Sequence, residues 1–210
     1  MNDTELNVFD RLADEQRQQL TAIYEQRHNI VSACTTAFRD TITMCRANGW
    51  LAHETVWNSC LFVNLAYHDL SILTYDLSFE REEWKRLFIA RSLSLLLYEI
   101  AEDISEIFGK KYHNALSTLS VSNELIDNLH TSIKPINSFR NEKSELLKRI
   151  RNVSAAHKDH DALTQLEVIE NIDIFELISI GLKMAIYLNN IGKVTSRIID
   201  QTSATKPPEI

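Results

Sequence analysis

The chain has 210 residues and a formal charge of −7, from 22 Lys and Arg against 29 Asp and Glu. That length holds one large domain or two small ones, and it can bury a substantial core. With only 4 Gly and 3 Pro the chain lacks the turn residues that sheet proteins need about every 8–12 positions. All-β and most α/β architectures are excluded, and no glycine pair makes a GxG or GxxxxGK(S/T) phosphate loop.

Helical periodicity then runs almost end to end. Leu20, Ile23, Tyr24, Arg27, Ile30, Val31, Cys34, Phe38, Ile42 and Cys45 recur at three- and four-residue steps. They predict a long first helix that ends at Asn48-Gly49, where glycine supplies a left-handed cap. A second helix is expected over 51–75, with Trp57, Cys60, Leu61, Asn64, Leu65 and His68 on a mixed face. Asp76-Leu77-Ser78 reads as a turn, with Ser78 the N-cap of a third helix over 80–108. A short fourth helix is expected over 112–117. Ser122 should cap a fifth that stops before Pro135. A further helix is expected over 136–157, then a polar break at Lys158-Asp159-His160-Asp161 and a short turn over 164–169. Asp173 and Glu176 have capping-box spacing for a last helix running to Ile199. The expectation is an all-α, up-and-down bundle of long antiparallel helices, a single domain over 1–202 with a disordered tail over 203–210.

The compartment is read from the same residues. The first residues have no basic and apolar leader pattern. The two most apolar runs, 87–100 and 174–188, are interrupted by Arg91 and Lys183. Cys34 and Cys45 fall about 16 Å apart along one helix, well beyond disulfide reach. Reduced thiols in a cytoplasmic protein with no membrane contact are the expectation.

Charge is uneven. Lys134, Arg140, Lys143, Lys148, Arg149, Arg151 and Lys158 face only Glu142 and Glu145, and an acidic stretch follows from Asp159 to Glu176. Such blocks commonly pair internally, and they can also display a local cationic strip. On the third helix Glu99, Glu102, Asp103 and Glu106 make an acidic stripe from which Glu99, Asp103 or Glu106 can reach Arg149 or Arg151.

The segment Arg151-Asn152-Val153-Ser154-Ala155-Ala156-His157 resembles the RxxxxxH signature of the HEPN superfamily, in which a polar residue commonly follows the arginine. The resemblance implies a helical bundle, and often a metal-independent ribonuclease in phage defence or a toxin–antitoxin system. It also implies a homodimer with the motifs of two protomers meeting in one cleft, an RNA substrate, a cognate antitoxin, and no cofactor or metal. Carried over by position, Arg151 stabilises the charged phosphorane-like transition state, Asn152 orients the site, and His157 handles the proton. The residue types suit the task, since imidazole exchanges protons near neutrality and guanidinium forks onto phosphate oxygens.

The same residues have a structural reading. Phe139, Lys143, Leu146, Ile150, Val153 and His157 step by four and three, so His157 continues a core seam. Arg151 and His157 are six apart, about 120° around an unbroken helix, so either the helix ends near Ser154 or a second protomer completes the site. The alternative function is a non-catalytic helical interaction protein. His157, His160 and Asp161 offer an HxxHD set without the spacing of a zinc site. The Glu25–His28 and Asp127–His130 pairs have the spacing of di-metal bundles but lack inward glutamate partners.

Overall fold

The computed structural model describes residues 14–152 and 161–203. Seven α-helices follow in order: α1 Asp14–Ala47, α2 Leu51–Phe79, α3 Glu83–Ile107, α4 Lys110–Thr118, α5 Asn123–Ile150, α6 Ala162–Glu170 and α7 Ile174–Ser203. No strand occurs among the described residues.

The ends of α1 and α5 show how local chemistry sets the boundaries. Gly49 takes φ +69°, and the N–H groups of Gly49 and Trp50 turn back onto the carbonyls of Arg46 and Cys45 at 3.2 and 2.9 Å. This is the Schellman stop expected of a glycine just past a helix. Ser122 caps α5 through its hydroxyl, which accepts from Leu125 N–H at 3.4 Å.

Other boundaries differ from the sequence reading. Asp76-Leu77-Ser78 is helix, not turn: Leu77 and Ser78 are buried on α2, and the Ser78 hydroxyl donates to Thr74 O at 2.7 Å. Burial of Leu77 outweighs the turn preference of its neighbours. Glu82 caps α3 instead, accepting from Trp84 N–H and Lys85 N–H at 2.9 Å each. Pro135 does not end the fifth helix but lies inside α5, so the expected helices on either side of it are one. Proline removes one backbone donor there, while Leu129, Ile136 and Phe139 stay buried on both sides of it. The seam is also shifted. Phe139 and Ile150 are buried as expected, but Leu147 takes the core position and Leu146 is exposed. Lys143 reaches Glu176 instead of the core.

One apolar cluster joins α2 through α7, with Leu70, Leu93, Leu97, Tyr112, Leu129, Met184 and Leu188 at its centre. α1 docks principally on α2. α1 and α2 run antiparallel, as do α5 and α7. Thr21, His28, Phe38 and Arg46 of α1 meet Tyr75, His68, Trp57 and Glu54 of α2 in reverse order. Glu124 and Lys143 of α5 meet Arg197 and Glu176 of α7. α7 is long and apolar enough, by length and composition, to cross a membrane despite Lys183. In the fold, its Leu177, Met184, Leu188, Ile191 and Ile198 face the core. Ser203, expected in the tail, is the last helical residue, and 204–210 lie outside the described residues.

Candidate functional site

The regular α5 spiral stops at Ile150, and Arg151 and Asn152 follow in wider π-helical geometry. The buried pair Leu147 and Ile150 fixes the rotation of this end of α5, and with it the direction of Arg151. Its guanidinium leans onto α3. Nε donates to Glu99 Oε1 at 3.0 Å, Nη1 donates to Asn152 Oδ1 at 3.3 Å, and the carbon centre stands 4.9 Å over the Tyr98 ring. Glu99 and Tyr98 are held there because Leu97 and Ile100, on either side of them, are buried in the core.

Arg151 retains 26% and Glu99 42% of side-chain exposure, so this is a partly solvated ion pair contributing at most about 1 kcal/mol. The aromatic face adds about 0.5–1 kcal/mol. Two contacts that modest fix an orientation without locking it. Among the described residues no partner meets Nη2. Glu99 is the first of the four side chains in the acidic stripe of α3, and burial followed by the charges of Glu99, Glu106 and Glu102 raises the Asp103 carboxyl above its ordinary pKa.

Of the three residues that carry the sequence motif, the structure brings Arg151 and Asn152 together. His157 lies outside the described residues, as do Val153 and the Lys158–His160 part of the polar break. Asp161 caps α6, accepting from Leu163 and Thr164 N–H and the Thr164 hydroxyl. Those bonds hold its carboxyl below its ordinary pKa and give it a local structural use.

Arg149 is exposed. It rims a cleft of about 110 Å³ between α5, α6 and α7, with Ile150, Val168, Ile172 and Leu177 as apolar lining and Asn171, Asp173 and Glu176 polar. Asp173 Oδ1 accepts from Glu176 N–H at 2.9 Å, half of the expected capping box. The other half is lost because the Glu176 carboxylate takes Lys143 Nζ at 2.7 Å. The basic block in and just after α5 is therefore partly spent on acidic partners, Lys143 on Glu176 and Arg151 on Glu99.

Among the described residues no three His, Cys, Asp or Glu side chains gather as a metal group. Glu25 is exposed. His28 meets His68 across the α1–α2 seam, and His130 meets His113 edge-on at 4.9 Å. Cys34, Cys45 and Cys60 are free thiols, and burial pushes the Cys60 thiol up to about 12. Tyr98 was not legible as a site residue. Its only signal is its place beside Glu99 on the helix that faces Arg151. Comparison with protein-family models, curated proteins and solved structures finds no match.

Proposed function

We propose that this chain is a HEPN-like helical protein that cleaves RNA without a metal, acting as a homodimer in the cytoplasm, in phage defence or as a toxin held in check by a cognate antitoxin. The observation that supports the reading is the end of α5. Regular helix gives way at the first residue of the motif, and Arg151 is held by Glu99, Asn152 and the Tyr98 face.

In the proposed reaction Arg151 binds the phosphate through its outward N–H groups. Asn152 Oδ1 holds the guanidinium as a positioning residue, and the imidazole of His157 exchanges the proton. The RNA 2′-hydroxyl loses its proton and attacks the adjacent phosphorus. The 5′-oxygen leaves and takes up a proton, so the products carry a 2′,3′-cyclic phosphate and a 5′-hydroxyl.

Arg151→Ala and His157→Ala should each lower cleavage of a mixed RNA pool by about 10²–10⁴-fold, with thermal melts unchanged within a few degrees and full wild-type activity in EDTA. The second reading, a non-catalytic interaction protein, is favoured by the Glu99–Arg151 pair, which gives the arginine a use in tying α3 to α5. It requires a wild type that never cuts RNA, together with lower melting temperatures for Arg151→Ala and for His157→Ala. That combined outcome would overturn the nuclease proposal.

A further inference from the structure

We propose that His28 and His68 form a two-imidazole site for a borderline divalent ion of the Zn²⁺ or Ni²⁺ kind, which pins α1 to α2. His28 Nδ1 and His68 Nε2 face each other at 2.9 Å. Two nitrogens bonded to one such ion at about 2.0–2.1 Å, with an angle between tetrahedral and right, lie roughly 2.8–3.4 Å apart. The two rings therefore already stand at the bite distance of a chelate. Imidazole pairs favour zinc, nickel and copper over the oxygen-seeking magnesium and calcium.

The surroundings keep the rings in place. Both histidines are half-buried, with ring centroids 4.6 Å apart. Tyr24, one turn before His28, stacks on Tyr75 at 4.0 Å, and the Tyr75 hydroxyl meets Thr21 at 3.2 Å. On the far side of the second ring, Asp69 Oδ1 lies 4.0 Å from His68 Nδ1. That distance is too long for a hydrogen bond, and the 2.9 Å contact between the rings is an N–H···N hydrogen bond whose proton an entering ion would displace. No third His, Cys, Asp or Glu among the described residues joins the pair, so water or an added ligand completes the coordination. The site is exchangeable and not a closed structural centre. Because α1 docks principally on α2, an ion held by one histidine from each helix acts on that seam alone. Its binding should depend on pH, since protonated imidazoles cannot ligate.

The test uses the full chain stripped with EDTA and desalted. Zn²⁺ or Ni²⁺ is titrated calorimetrically at pH 7.5 and pH 5.5, with thermal melts alongside. One equivalent should bind at pH 7.5 and raise the melting temperature, and it should bind more weakly at pH 5.5. Outer-shell losses at metal sites already cost about 10–100-fold, so His28→Gln and His68→Gln should each weaken binding at least tenfold. A third readout needs no variant: Cu²⁺ added to wild type should broaden the His28 and His68 ring signals in NMR before those of His53, His113 and His130. Unchanged affinity in either glutamine variant, broadening that begins at other histidines, or no binding by wild type at millimolar ion would overturn the proposal.

Discussion

Asp103 illustrates how a single side chain on α3 carries a cost set by its neighbours. Partial burial and the charges of Glu99, Glu106 and Glu102 raise its pKa, so the folded chain holds its proton more tightly than the unfolded chain does. For a carboxyl shifted upward, stability falls as pH rises through the ordinary aspartate range and above it. Well below that range the group is protonated in both states and contributes no difference. Asp103→Asn mimics the protonated form. It should raise the melting temperature at pH 7, with the gain shrinking toward zero as the pH falls below about 4. Thermal melts of both proteins across pH 3 to 8 check this, and a gain that is constant with pH would contradict the electrostatic cause. The acidic stripe was legible because its four members recur on one helix, and the Glu99–Arg151 pair is one of the several pairings that the stripe left open. Tyr98 and the His28–His68 contact were not legible. Their partners lie 53 and 40 positions away in sequence, and no local spacing encodes such pairings.

At the scale of elements, the packing of α7 on α2 turns on one glycine. A Cβ at Gly181 would meet Thr74 Oγ1 at 2.6 Å and Thr74 Cγ2 at 3.3 Å. Thr74 is buried and β-branched, so it has few ways to move aside. Gly181→Ala should therefore destabilise by about 1–3 kcal/mol in spite of its better helix propensity. Thr74→Ala removes both clashing atoms and a buried hydroxyl that lacks a partner. The double variant should recover most of the loss, a coupling that denaturant melts of the four proteins would measure. Additive losses would show that the two helices do not approach as described. The same helices mark where sequence patterns succeed and fail. Gly49 and Ser122 announced the end of α1 and the start of α5 because a left-handed cap and a hydroxyl N-cap are local chemistry. Pro135 and the Asp76–Ser78 segment misled because propensity is weak beside burial of Ile136, Phe139 and Leu77. The seam on α5 was displaced by one position near its end for a related reason: Leu146 and Leu147 are chemically alike, and only the position of α7 decides which one is covered.

For the molecule as a whole, the proposed function makes activity depend on assembly. α5 runs antiparallel to α7, and its exit lies beside the start of α7 and against Glu99 in the second half of α3. Trp84 and Phe88 in the first turns of α3, Leu163 and Leu166 of α6 and Phe175 of α7 are exposed. The proposed dimer has a second copy covering these side chains, with the two motifs sharing one cleft. Mass action then ties the active fraction to protein concentration. Cleavage per protomer should stay constant at micromolar protein and fall once dilution passes the dimer dissociation constant, in step with the mass measured by light scattering. Trp84→Glu offers an internal control. Glutamate in the first turn of α3 suits the helix dipole, so the fold should survive while a buried charge at the interface weakens the dimer. The variant should therefore need at least about tenfold more protein to reach wild-type activity per protomer, since a charge left unpaired in an interface costs well over 1.4 kcal/mol. Constant activity per protomer across the full dilution range, with a monomeric mass throughout, would mean that the Arg151 and His157 of one chain suffice. The two-protomer cleft would then be wrong even if the chain cuts RNA.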